Sequence, residues 1–423
     1  MVESVAGVTS AGLRRRLGMV DAVVIGLGAM IGAGIFSALA PAAYAAGSGL
    51  LLGLGLAAVV AYCNATSSAR LAARYPASGG TYVYGRERLG DFWGYLAGWG
   101  FVVGKIASCA AIALTVGLYA WPDHAHAVAV AAVVALTAVN YVGIEKSALL
   151  TRLIVAAVLA VLALVVVATL GWGATDTARL DIGTDATVDG VLQAAGLLFF
   201  AFAGYARIAT LAEEVRDPAR TIPRAIPVAL GITLAVYTVV AVAVLLVLGP
   251  QRLADTAAPL SDAVHAAGMP QLAPVVRAGA ALAALGSLLA LIVGVSRTTL
   301  AMARDRHLPH ALAAVHPRFK VPHRAEVLVG AVVAALAATA DLRSAIGFSS
   351  FGVLVYYAIA NASAWTLSPA ENRPPRIISV IGLAGCAVLV AALPISSVIS
   401  GAAVLAIGAA VYGIRRLTTT GRP

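Results

Sequence analysis

Ile25-Gly26-Leu27-Gly28-Ala29-Met30-Ile31-Gly32-Ala33-Gly34-Ile35-Phe36 lies inside the first long hydrophobic run of the chain, and four of its twelve residues are glycine. Each glycine weakens a helix by roughly 1 kcal/mol relative to alanine. A membrane interior penalises unsatisfied backbone groups, so irregular backbone persists there only where it lines a cavity or is buried in protein. The stretch therefore reads as a broken helix whose freed N–H groups face an anionic ligand near the bilayer midplane. Gly28-x-x-x-Gly32 also satisfies the small-residue spacing of a helix-packing face, and from this segment alone both readings stand.

The surrounding chain decides the setting. Its 423 residues are 61% hydrophobic and 11% charged, with mean hydropathy +0.93; soluble proteins carry about 25% charged residues. Runs long enough to cross a bilayer fall at about 20–47, 49–73, 92–121, 125–143, 148–172, 188–213, 223–249, 272–300, 325–341, 344–367, 377–393 and 395–414. The expectation is an all-α polytopic membrane protein of about twelve spans. The first run is too long and too glycine-rich for the apolar region of a signal peptide. If the N-terminus is cytoplasmic, about 22 of the 29 Lys and Arg fall in inside loops and tails, against about four (Arg179, Arg252, Arg277 and Arg343) outside. The net charge of +10 is then an insertion signal rather than a nucleic-acid surface, with both termini inside. Abundant Ala, Gly and Arg with little Lys fit a bacterial protein of the cytoplasmic membrane.

A second interruption lies five spans on. The sixth run contains Gly196-Leu197-Leu198-Phe199-Phe200-Ala201-Phe202-Ala203-Gly204-Tyr205-Ala206, small and aromatic where a continuous helix favours leucine. Two interrupted spans in corresponding positions point to an inverted repeat with a midplane site between its halves. Spans 1–5 and 6–10 are the expected repeats, and an odd number of spans per repeat forces opposite orientations. The external stretch Pro259–Ala266 reads equally as a short capping helix or as a linker.

Four motifs in order carry a resemblance. They are Gly28–Phe36; Pro76-Ala77-Ser78-Gly79-Gly80-Thr81-Tyr82-Val83-Tyr84 after span 2; Phe200–Gly204 running on to Glu213-Glu214-Val215-Arg216-Asp217-Pro218; and Arg297 with Met302-Ala303-Arg304-Asp305 and Pro309 after span 8. Together they resemble the amino acid–polyamine–organocation (APC) superfamily of amino acid permeases, over spans 1–10. The resemblance implies a LeuT-like 5+5 inverted repeat with broken helices 1 and 6 plus two extra helices. It implies that a substrate α-carboxylate meets N–H groups among Gly28, Ala29, Met30, Ile31, Gly32, Ala33 and Gly34. The α-amino group would meet carbonyls around Phe199, Phe200, Ala201, Phe202 and Gly204, with Phe200 or Phe202 as an aromatic gate. A helix N-terminus presents donors and a C-terminus presents carbonyls, so a zwitterion is matched without a protein charge.

Lys105 stands out as one of three lysines (105, 146, 320) against 26 arginines. It falls about fourteen residues into span 3, roughly 20 Å along the axis, where a charge costs several kcal/mol and marks a functional site by default. Some relatives place a Lys in mid-span 5; here span 5 is apolar beyond Arg152. Lys105 is the candidate for proton coupling or substrate selectivity. Arg207 and Arg297 read as gate charges, with Glu213, Glu214 or Asp21 as partners for Arg207. In span 8, Ser287 and Ser296 are not adjacent, which argues against a sodium site. Cys63, Cys109 and Cys386 lie in apolar spans and read as buried hydrophobes, and neither they nor the seven His show metal spacing. No cofactor and no metal is expected, and no obligatory protein partner.

The expectation is a transport core at 18–367, spans 11 and 12 at 368–414, and short cytoplasmic tails at 1–17 and 415–423. Its function would be secondary transport of an amino acid, proton-coupled and sodium-independent, with a proton and a small-molecule substrate as partners within the lipid bilayer. Exchange, or transport of a polyamine or other amine, are the alternatives. The spans carry cations but no deep Asp or Glu, which disfavours a polycation. They also lack the paired carboxylates, Ser/His pair or metal cluster of a membrane enzyme.

Overall fold

The computed structural model describes residues 17–75, 79–143, 148–209 and 215–420. Helices follow one another as α1 (Met19–Met30), α2 (Gly34–Ser37), α3 (Leu39–Ala46), α4 (Leu50–Arg74), α5 (Thr81–Leu89), α6 (Asp91–Ala120), α7 (Ala125–Tyr141) and α8 (Ala148–Trp172). Next come α9 (Val188–Phe202), α10 (Ala206–Ala209), α11 (Pro218–Ala254), α12 (Pro259–Ala266), α13 (Ala273–Arg304), α14 (His323–Thr339), α15 (Leu342–Trp365), α16 (Arg376–Ala392) and α17 (Ile395–Thr420). The described residues form no β-strand, only an isolated bridge between Leu17 and Val215. Ten helical runs are long and apolar enough to cross a membrane by length and composition. The 17-residue helices α14 and α16 stand where the ninth and eleventh spans were expected. The protein is an all-α, multi-pass membrane protein. Pro259–Ala266 forms the helix α12. Pro76–Ser78 of the second motif and Glu213 and Glu214 of the third lie outside the described residues.

Helix packing repeats itself under exchange of spans 1–5 for spans 6–10. The pair α1·α11 (spans 1 and 7) has its counterpart in α9·α4 (6 and 2), and α6·α15 (3 and 10) in α13·α8 (8 and 5). Likewise α1·α8 matches α9·α15, while α6·α13, α7·α14 and α4·α11 map onto themselves. Five spans per unit reverse the direction of travel between the two halves.

Apolar side chains separate into two cores. One is drawn chiefly from α1, α3, α4, α8 to α11 and α15; the other from α6, α7, α13 and α14, joined by Ala33 of the interrupted first span. Close backbone approach holds α6 to α15: Gly104 and Gly352 meet so tightly that a Cβ on Gly104 would lie 3.2 Å from the Gly352 Cα. A buried polar cluster ties α4, α15 and α16. Asn361 Nδ2 donates to Asn64 Oδ1 (2.6 Å), the Ser67 hydroxyl donates to Asn361 Oδ1 (2.7 Å), and Asn64 Nδ2 donates to Cys386 Sγ (3.3 Å). All three cysteines are free and buried, but Cys386 serves as an acceptor and is not merely packing. In α11, Pro250 cannot donate back to the Leu246 carbonyl. That oxygen instead accepts from Arg179 Nη1 (3.0 Å) and the Asp176 amide (3.0 Å), at the kink where Gly249 has φ +72°.

The end of the bundle that carries α5 is held by charged contacts between elements. Arg86 Nη1 and the Tyr82 hydroxyl both donate to Asp305 Oδ2 (2.8 and 2.6 Å), and Arg152 donates to Asp21 Oδ1 (2.5 Å). In the loop between α15 and α16, Glu371 accepts from Arg88 and from Arg74 Nε (3.1 Å). Arg88 first, then the Ser368 amide, hold the Glu371 carboxyl down at about 2. A depressed folded-state pKa stabilises the fold above the unfolded value of 4.5 and loses that contribution as pH falls towards 2. Glu371→Gln is therefore expected to lower the Tm of the purified protein at neutral pH. The wild-type advantage should narrow as the pH is taken below about 4.5, as read by differential scanning fluorimetry. An advantage unchanged down to the lowest pH that the fold tolerates would show that the carboxylate is not the stabilising group.

Candidate functional site

Span 1 stops being helical where its glycines cluster. α1 ends at Met30, the Ile31 amide closes its last turn on the Leu27 carbonyl (2.7 Å), and helix resumes at Gly34. None of the described residues accepts a hydrogen bond from the amides of Gly32 or Ala33. Both residues are buried. Burying an unpaired amide costs about 1–3 kcal/mol by mutational measures, so these two donors are the exposed nerve of the segment. Ala29, Met30 and Ile31 differ: their amides belong to the end of α1. The freed donors are thus fewer than the glycine-rich motif is long.

Span 6 breaks in the corresponding place. α9 ends at Phe202, a 3-10 turn covers Ala203–Tyr205, and α10 follows. The two breaks lie directly against each other. A Cβ on Gly34 would stand 2.6 Å from the Ala201 Cβ and 2.7 Å from its Cα, and one on Gly204 would stand 2.5 Å from the Ala29 carbonyl carbon. Only glycine permits this crossing, which answers the ambiguity in the sequence. The glycines serve both a break and a close packing, of span 1 against span 6.

Carbonyls released by the two breaks are met by hydroxyls from neighbouring spans. The Tyr237 hydroxyl of α11 reaches both Met30 O (2.5 Å) and Ala201 O (3.1 Å), joining the ends of α1 and α9. Ser287 of α13 donates to Gly28 O (3.1 Å), Tyr119 of α6 to Phe36 O (3.1 Å), and Tyr357 of α15 to Ala203 O (3.4 Å). Sequence reasoning missed the three tyrosines. Their one signal was a hydroxyl within an apolar span, a position at which a buried Tyr normally finds an acceptor.

Among the aromatic candidates, Phe199 and Phe202 are fully buried in the first core, with rings 5.8 Å from Tyr357 and 5.2 Å from Tyr237. Phe200 is half-buried and packs against both cores, at the seam between them. Lys105 lies in mid-α6, only 6% exposed, one turn before Cys109 of the second core. Among the described residues it joins no ion pair. Beside Gly28, α8 presents Val155 and Thr151, so its contact with the break holds no ionisable group. Arg207 sits on α10 below Gly204. Asp21, one of its expected partners, is instead held by Arg152, which reaches it from α8 across the contact with α1. Arg297 is exposed on α13, with the buried Glu326 of α14 within its electrostatic reach. The structure thus brings the Gly28–Gly34 and Phe199–Gly204 segments together and leaves Arg297 outside that group.

A helical membrane protein with two facing, interrupted spans at the seam of a repeated five-span unit is a transporter scaffold. Residues 17–414 match the amino acid permease family, and the chain belongs to it. It is 80% identical over 407 residues to an uncharacterized transporter of Mycobacterium tuberculosis, covering 96% of this chain and 92% of the relative. It is 27% identical to the branched-chain amino acid permease BcaP of Bacillus subtilis, over 88% of this chain and 84% of that one. It is 29% identical to human cationic amino acid transporter 4, over 86% and 61% of the two chains.

Tyr237→Phe keeps the ring against Phe202 and removes the donor shared by two buried carbonyls. The expected cost is about 1–3 kcal/mol of stability, visible as a lowered Tm in detergent. A variant as stable as the parent would show that neither carbonyl depends on this hydroxyl.

Proposed function

We propose that this protein carries amino acids across the cytoplasmic membrane by alternating access, driven by inward proton movement and independent of sodium. The observation that carries the reading is the pairing of two interrupted spans at the seam between two separately packed cores. Gly32 and Ala33 offer amide donors beside the carbonyl-rich end of α9, a dipolar pair suited to a carboxylate on one side and an ammonium on the other. The two relatives with named substrates take side chains of opposite character, branched aliphatic and cationic. Their common chemistry is the α-amino and α-carboxylate groups, which backbone capture reads without regard to the side chain.

On this reading Gly28, Ala29, Met30, Ile31, Gly32, Ala33 and Gly34 form the carboxylate segment, with Gly32–Gly34 nearest the ligand. Phe199, Phe200, Ala201, Phe202 and Gly204 form the amine segment, and Phe200 is the gate because it touches both cores. The transport core spans 18–367, with spans 11 and 12 as additions. The core containing spans 1, 2, 6 and 7 rocks against that of spans 3, 4, 8 and 9. The inner gate lies at the α5 end, taken as cytoplasmic from the distribution of Arg and Lys, where the Leu17–Val215 bridge and the Asp21–Arg152 pair fasten α1 within the first core. Arg207 and Arg297 act as charges of this inner gate.

Lys105 is the proposed coupling or selectivity residue. It is an almost fully buried ammonium with no acid paired to it among the described residues, in a span where each charge is expensive. Sodium independence is read from the separation of Ser287 and Ser296 along α13. Ser287 donates to Gly28 O, and Ser296, Thr298 and Thr299 donate to carbonyls one turn back in their own helix.

The test is uptake of single radiolabelled amino acids into proteoliposomes, with and without an inside-alkaline pH gradient and with sodium replaced by choline. Wild type is expected to respond to the gradient and not to sodium, and Lys105→Ala to lose the gradient response. Uptake that ignores the gradient but needs internal amino acid would make the protein an exchanger. Uptake of no amino acid under any condition would refute the substrate class.

A further inference from the structure

Between the last turns of α4 and the loop joining α15 to α16 lies an open cavity of about 370 Å³, lined by Arg70, Pro369, Asn372, Arg373, Pro374 and Pro375. None of its lining residues belongs to the interrupted spans, and the transport reading makes no use of it. Its charge is unbalanced. The segment from Thr366 to Arg376 contains one acid, Glu371, and the last two turns of α4 contain none. Glu371 is already engaged by Arg74 and Arg88. Arg70 and Arg373, both half-buried at the cavity wall, join no ion pair among the described residues.

Two half-buried guanidiniums that join no ion pair among the described residues and line one cavity offer forked donors to an anion. Asn372 adds an amide group from a left-handed backbone position (φ 55°). The three prolines supply no N–H and hold their backbone at a fixed φ, so the wall is preformed and little order is lost on binding. The ends of the same loop identify the surroundings. Trp365, 44% exposed at the end of α15, carries the Arg376 guanidinium over its ring at 5.1 Å from the centroid. An exposed Trp capped by a long cation at the end of a spanning helix is the signature of the headgroup layer.

We propose that this cavity binds a phosphate group, presented by the headgroup of an anionic phospholipid. Basic pockets between spanning helices at the cytoplasmic surface suit such headgroups. The occupant bridges span 2 to the loop between spans 10 and 11. Inorganic phosphate shares the chemistry but lacks the acyl chains that would anchor it in the bilayer, and a separate arm of the test distinguishes the two.

The experiment measures the Tm of the full-length purified protein in a neutral detergent titrated with phosphatidylglycerol, phosphatidylcholine or inorganic phosphate. For the wild type, phosphatidylglycerol is expected to raise Tm by roughly 3–6 °C and phosphatidylcholine to leave it unchanged. The double variant Arg70→Gln/Arg373→Gln should lose the rise, while Arg224→Gln, an exposed arginine on α11, should keep it. An equal rise with inorganic phosphate would uphold the phosphate site and assign it to a soluble anion. A rise that survives in the double variant, or that Arg224→Gln removes to the same extent, would overturn the proposal, as would no rise with either anion. Should the double variant not fold, Arg373→Lys keeps the charge and loses the fork; it is expected to show a reduced rise, and a full-sized one would count against the site.

Discussion

Everything in this bundle answers to one constraint: a backbone group released inside a membrane has no water to turn to. Breaking spans 1 and 6 releases carbonyls and amides at the centre of the molecule. The carbonyls are recaptured by side-chain hydroxyls from four other spans, through Tyr237, Ser287, Tyr119 and Tyr357. The amides of Gly32 and Ala33 are not recaptured among the described residues. That asymmetry gives the centre its chemical character. Donors are left over where span 1 opens.

The same centre is a mechanical boundary. Apolar packing divides along it into two cores, and few side chains belong to both. Ala33 lies in the second core while its neighbours Ile31 and Ile35 lie in the first, and Phe200 touches each. Within a core, buried contacts are numerous and costly to separate. Contacts also cross the seam, where α6 of the second core packs along α15 of the first through the Gly104–Gly352 approach.

Composition and charge asymmetry made the membrane class and the number of runs legible. The glycine cluster at 26–34 and the aromatic-small run at 199–204 marked the two interruptions, because a helix break has a local cause. The repeat was legible from the spacing of those interruptions, and the exchange of helix pairs reproduces it in three dimensions. Other residues were opaque. Tyr237, Tyr119 and Tyr357 carry no local sign of which carbonyl each would find. Asp21 is held by Arg152, 131 residues away, a pairing that nothing local in the sequence marks. Cys386 read as a packing residue because its acceptor role depends on Asn64, more than three hundred residues away.

By itself the sequence determined what short range and composition control: a bilayer-spanning helical chain, the two places where its helices fail, and the scarcity of lysine that makes Lys105 conspicuous. Only the tertiary structure decided which groups satisfy the broken backbone, which of the three phenylalanines reaches the seam, and that Gly34 and Gly204 are needed for one span to cross another. The physical reason is range. Helix propensity and hydropathy act over a few residues, whereas a hydrogen bond between α11 and the ends of α1 and α9 exists only after three distant segments have been packed together.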